Sequence, residues 1–170
     1  MVQAETVRAE GIEDFKSEIK KRVLRKPEPV KKVDAFVFVD MESVDRGLAE
    51  KVCSILVDQE VGYRIPDFSG AKSPAEIRRK LDQSLRQCTA IIIIYGSSTV
   101  TWVNGQLEQC LKSFPKRQTL PNAIAVFECP PEDKQPPSLG LPHMKTLNFR
   151  RGIDEAELVK FVKSLREGGA

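Results

Sequence analysis

A doubly wound α/β domain, with five parallel strands in the order 2-1-3-4-5 and helices on both faces, is the fold this sequence predicts. Three observations carry the prediction. Ile91 to Ile94 is a run of four β-branched residues with nothing polar in it, so the strand they form must be covered on both faces. Apolar strand-like runs alternate along the chain with segments whose apolar residues recur at helical spacing. Crossovers between parallel strands are right-handed, and at this size the order 2-1-3-4-5 is the common solution.

The elements follow in order. Residues 1–33 read as an N-terminal helix and a proline-containing linker, apart from the domain of residues 34–170. Ile12, Phe15, Ile19 and Val23 form one apolar stripe, with acids early and Lys20, Lys21, Arg22, Arg25 and Lys26 late, an order that complements the helix dipole. Pro27-Glu28-Pro29 stops that helix. Ala35 to Val39 is the first buried strand, and Leu48, Ala49, Val52, Ile55 and Leu56 are the inward face of the helix after it. Tyr63-Arg64-Ile65 is a short, polar second strand suited to an edge. Ser73-Pro74-Ala75-Glu76 joins a serine N-cap, proline at the first helical position and a capping-box glutamate, and so starts a helix with Ile77, Leu81, Leu85 and Cys88 inward.

The third strand ends at Tyr95, and Gly96-Ser97-Ser98-Thr99 supplies a tight turn with an N-cap. Val103, Leu107, Cys110, Leu111 and Phe114 are the stripe of the next helix. Pro115 to Asn122 reads as a polar loop, Ala123 to Cys129 as the fourth strand, and Met144 to Phe149 as a weaker fifth. Five prolines between Pro130 and Pro142 replace the intervening crossover helix with an irregular segment. A last helix runs from Asp154 to Leu165 with Leu158, Phe161, Val162 and Leu165 inward.

Composition narrows the function. Of 27 Lys/Arg and 24 Asp/Glu, residues 1–33 hold nine and six, so the body carries as many acids as bases and gives little support to nucleic-acid binding. The KKRVLRK run is more simply a solvated helix end than a contact for nucleic acid or acidic membrane. No apolar run has the length of a membrane span and no secretory signal opens the chain, which is read as cytoplasmic. Cys53, Cys88, Cys110 and Cys129 lie far apart and fit no zinc pattern, so they read as structural thiols. His143 has no nucleophile near it in sequence and reads as non-catalytic.

In such sheets ligands sit outside the carboxyl ends of the strands, at the switch point between strands one and three. The candidate crevice is therefore lined by Asp40, Met41, Glu42 and Ser43 on one side and by Gly96, Ser97, Ser98, Trp102 and Gln106 on the other. The simpler reading of Asp40 and Glu42 is that they cap the first helix or face water. Trp102 reads first as an aromatic staple at a helix start, its indole bonded to a loop carbonyl, and second as a pocket wall. No carboxylate follows the third strand to accept a phosphoryl group, the acidic turn after the first strand repels phosphate, and neither a G-x-G-x-x-G fingerprint nor a P-loop is present.

From Ala35 to Leu165 the chain resembles bacterial TIR-like domains of the Toll/interleukin-1 receptor superfamily, which share a flavodoxin-like three-layer sandwich. The resemblance rests on FVFVDMESVDRGLAEKV, on RIPDFSGAKSPAEIRRKL for a BB-type loop and its helix, and on CTAIIIIYGSSTVTWVNGQLEQCLK. Residues 1–33 are not covered by it. Many members cleave the nicotinamide glycosidic bond of NAD with a glutamate four residues after the tryptophan; here that position is Gln106. An amide keeps the shape but loses the charge that would stabilise an oxocarbenium-like cation. Glu108 is roughly 200° further round the helix and does not replace it. If the crevice is catalytic, Glu42 and Glu108 are the remaining candidates.

The resemblance implies a TIR-like interaction and signalling module of a bacterial multidomain protein, of the kind used in defence, without standard NADase activity. It implies homotypic association through the BB-type loop Pro66, Asp67, Phe68, Ser69 and Gly70, where an exposed Phe68 has no core to fill. It also implies further domains upstream, and no partner of nucleic acid or membrane. The alternative is an N-glycosidase or nucleotide-binding domain, with NAD as substrate or ligand in the crevice. No resident cofactor and no metal are expected.

Overall fold

The computed structural model describes residues 35–67, 70 and 72–167. The expected helix from Ile12 and its proline linker lie outside these residues. The strands are β1 (Phe36–Asp40), β2 (Gly62–Arg64), β3 (Ala90–Tyr95), β4 (Ala123–Glu128) and β5 (Met144–Asn148). The helices are α1 (Arg46–Asp58), α2 (Pro74–Gln87), α3 (Val100–Ser113) and α4 (Glu155–Glu167). Every strand pair is parallel, and the order is β2-β1-β3-β4-β5, as the sequence predicts.

The isoleucine run sets the layers. All six residues of β3 are buried, and successive side chains point to opposite faces. Ile92 and Ile94 pack with the inward stripes of α1 and α4, while Ile91 and Ile93 pack with Leu85, Val103 and Leu107 of α2 and α3. The result is a flavodoxin-like three-layer sandwich. Phe127 of β4 stands edge-on to Phe149 and Phe161 at 5.3 and 5.6 Å between ring centroids, tying α4 to the sheet.

Local signals hold with adjustments. Ser73 Oγ accepts the Glu76 N–H at 3.3 Å, but the Glu76 carboxylate reaches the Lys72 N–H at 2.6 Å. β2 lies one residue earlier than expected: Gly62 pairs with Phe36, and Ile65 leaves the strand to pack against the core on the α1 side. β5 ends at Asn148, and Phe149 turns into the core at 1% exposure. A 3-10 turn at Phe114–Lys116 opens the segment expected to be a loop. Leu111 and Ile77, expected inward, are 45% and 36% exposed. Leu111 sits beside the seam that Leu107 and Cys110 already fill, and Ile77 lies in the first turn of α2, ahead of the half-buried Leu81 and the buried Leu85. Residues 130–142 form neither helix nor strand, and Leu139 and Leu141 pack against the core on the α2/α3 side.

Candidate functional site

The carboxyl ends of β1 and β3 meet at the switch point, and Asp45 decides what that meeting looks like. A 3-10 turn, Ser43–Asp45, follows β1 and delivers Asp45 to the interior at 2% exposure. Its carboxylate accepts the backbone N–H groups of Gly96 (3.2 Å), Ser97 (2.7 Å) and Ser98 (3.1 Å). Successive N–H groups turned to one point form an anion-binding nest, and the chain fills it with its own carboxylate. Gly96 is required for the approach: a Cβ there would lie 2.4 Å from Asp45 Oδ1 and 2.6 Å from Leu48 Cδ1.

The carbonyls of the same turn are held from the other side. Lys134 Nζ donates to the oxygens of Tyr95 and Gly96, at 2.7 Å each, and lies 4.3 Å from the Tyr95 ring centroid. Burial pushes the Lys134 ammonium below its ordinary value, and the charges of Cys129 and Asp45 act in the opposite direction. Tyr95 Oη donates to the Gln135 carbonyl at 2.8 Å, and the Ser138 N–H donates to Asn104 Oδ1 at 3.0 Å. Residues 134–138 are thus strapped across the end of β3 and onto α3. Ser98 Oγ is buried with no hydrogen-bond partner among the described residues.

The expected crevice residues are distributed as follows. Asp40 closes β1 at 4% exposure, and burial raises its carboxyl to about 7 despite the Met41 backbone N–H that favours the charged form. Burial also pushes the Cys110 thiol of α3 up, with a smaller contribution from the Asp40 charge. Met41 and Glu42 are half-buried and Ser43 is exposed. Neither the Asp40 nor the Glu42 side chain caps α1: the N-cap position is Asp45, whose carboxylate crosses to β3 instead. This corrects the simpler reading for Asp40, which neither caps the helix nor faces water; Glu42 does not cap it and is half-exposed. Gly96 and Ser98 are buried and Ser97 is exposed.

Trp102 and Gln106, one helical turn apart on α3, are both half-buried, whereas Glu108 is exposed. Among the described residues the hydrogen bond at Trp102 is made by its backbone N–H to Thr99 Oγ1 at 3.1 Å, the N-cap of α3, and the side chain packs on the α2/α3 side of the core. Of the 66–70 loop, Pro66 is half-buried, Asp67 and Gly70 are exposed, and Gly70 takes a left-handed φ of 76°. Phe68 and Ser69 lie outside the described residues.

Clefts open on the surface of the described residues. One of about 660 Å³ lies between α2 and the end of β2, against Arg64, Pro66, Asp67, Lys80 and Ser84. A second of about 210 Å³ lies between α1 and β2, and a third of about 400 Å³ is lined by Arg150, Arg151 and Glu132. The arginines of the third are engaged, Arg150 with Glu128 at 2.8 Å and Arg151 with Glu132 at 3.0 Å. Sequence reasoning missed the Asp45 clamp, the Lys134 strap and the β2 clefts. Asp45 carried a weak signal as an acid in the turn after strand one; Lys134, within a proline-rich stretch, carried none.

Among the described residues no cluster of His, Cys, Asp and Glu is arranged to hold a metal ion, and no helix is long and apolar enough to cross a membrane. No family model matches the chain, and no curated protein matches it.

Proposed function

We propose that this chain is a TIR-like interaction and signalling module, which acts by associating with another copy or with a partner through the 66–70 loop and α3, and which lacks standard NAD-cleaving activity. The observation that carries the reading is Gln106, an amide at the position where the resembling family places its catalytic glutamate. The Asp45 carboxylate supports it as well. It occupies the backbone donors that a ribose or phosphate would otherwise meet after β3.

Association is tested by sedimentation of the full chain over a wide concentration range, beside Phe68→Ala. Concentration-dependent assembly that the substitution weakens is the expected result. A chain that stays monomeric at high concentration removes the loop-contact version.

The alternative is an NAD or nucleotide N-glycosidase working in the mouth between the β1 and β3 loops. Asp40 favours it, as a buried carboxyl at that mouth whose proton is retained near neutral pH. Nicotinamide release from NAD separates the two readings. The interaction reading expects none from wild type and gain in Gln106→Glu if the pocket is otherwise competent. Turnover by wild type makes the chain an enzyme, with Asp40→Asn and Glu42→Gln the next variants to assay.

A further inference from the structure

We propose that the outer edge of β2 is a docking site for an extended acidic peptide, which adds to the sheet as a sixth strand. The inference does not depend on the association reading above. β2 is the terminal strand of the sheet and pairs with β1 alone among the described strands. Its three residues are all exposed. In a strand, alternate residues turn their N–H and C=O groups away from the paired neighbour, so this edge offers main-chain partners to a further strand.

What distinguishes it from an ordinary edge is that clefts flank it on both faces of the sheet. The 660 Å³ cleft lies on the α2 side and takes Arg64 into its wall. The 210 Å³ cleft lies on the α1 side and takes Tyr63. Ile65 borders both. An added strand sends successive side chains to opposite faces, so one set would enter each cleft, the arrangement by which strand-addition sites read sequence. Three residues permit only a few main-chain bonds, so the clefts must select the occupant.

Their linings name its chemistry. The α1-side cleft is small; Met41, Ala49, Cys53, Tyr63 and Ile65 border it beside Ser54 and the Arg46–Glu50 ion pair, whose charges cancel, and the apolar part suits an aliphatic side chain. The α2-side cleft carries Arg64 and Lys80 against Asp67. Among the described residues Arg64 makes one hydrogen bond, from Nη1 to Gln87 Oε1 at 3.3 Å, and its guanidinium lies 5.5 Å from the Phe36 ring centroid; five N–H donors on the group allow a carboxylate to be met as well. The edge therefore has one more cation than anion in the cleft on its α2 face and a net-neutral, largely apolar cleft on its α1 face. An alternation of acidic and aliphatic residues complements it.

The test uses the full chain and an acetylated, amidated hexapeptide of alternating Glu and Val. Its controls are a Lys/Val peptide and a Glu/Val peptide N-methylated at every second amide, which keeps the side chains but removes the donors of one edge. Binding is followed by fluorescence anisotropy and located by amide chemical shifts. The expected result is saturable binding that shifts residues 62–65 and the facing turns of α1 and α2. N-methylation, Arg64→Glu, or Ser54→Trp in the α1-side cleft should each weaken it by about tenfold or more. Arg64→Glu should also improve binding of the Lys/Val peptide.

No binding at millimolar peptide, equal binding of the N-methylated form, or shifts elsewhere would overturn the proposal. So would a dimer of the chain itself that Arg64→Glu dissolves while the peptide fails to bind, since the occupant would then be a second copy. Circular dichroism of both variants guards against loss of fold.

Discussion

A carboxylate that accepts three backbone N–H groups leaves all three without it when it is truncated, and at Asp45 two of those donors, on Gly96 and Ser98, are buried while that of Ser97 is part-buried. Asp45→Ala is therefore expected to destabilise the chain by about 2–4 kcal/mol, measured by urea unfolding, with Asp45→Asn recovering part of the loss. Asp40 acts in the opposite sense. Its carboxyl titrates near 7 in the folded state against 3.8 as its ordinary value, so between those pH values the folded chain holds a proton that the unfolded chain has released. Its contribution is thus fully retained below about pH 4 and declines as pH rises through 7. Asp40→Asn is expected to raise stability at pH 8, by on the order of 2–4 kcal/mol, and to leave it nearly unchanged at pH 4. Thermal melts of both proteins at the two pH values check this, and equal gains at both would refute it.

At the scale of elements, capping chemistry and periodicity made most of the fold legible. Ser73 caps α2 and Thr99 caps α3, through hydroxyls that accept the N–H groups three residues on. The inward stripe of α4 is the one its spacing predicts, because Leu158, Phe161, Val162 and Leu165 all face the sheet. The 130–142 segment was legible only as a place where a helix is excluded. Its strap over β3 depends on Lys134 reaching two carbonyls that belong to a strand end 38 and 39 residues earlier. Lys134→Met is expected to speed amide hydrogen exchange in residues 132–138 while leaving the Asp45-bound amides of Gly96 to Ser98 protected. Exchange unchanged in the strap would mean that Tyr95 Oη and the packing of Leu139 and Leu141 hold it without the lysine.

For the molecule as a whole, one sheet carries two core layers, so neither layer can be lost independently. Ile92→Ala on the α1/α4 side and Ile93→Ala on the α2/α3 side should each cost about 2–5 kcal/mol. In each variant far-ultraviolet circular dichroism and Trp102 fluorescence should report one coincident transition. A variant in which fluorescence moved before the helical signal would mean that the α2/α3 layer opens by itself.

The candidate site was less legible than the fold. Spacing in the sequence brought the β1 and β3 turns to one switch point, and placed Gln106 one turn beyond Trp102 on α3 and Glu108 on its exposed side. What lies between those turns was a matter of side-chain reach. Asp45 and Asp40 are acids of the same short segment, yet one is clamped by three amides and the other is buried with a raised carboxyl. By itself the sequence determined the strand order, the layers and most helix boundaries, because those follow from patterns repeated over many residues. The Asp45 clamp, the Lys134 strap and the clefts beside β2 were decided only by tertiary structure, because each rests on single side chains meeting backbone far away in the chain, where no local period records the distance.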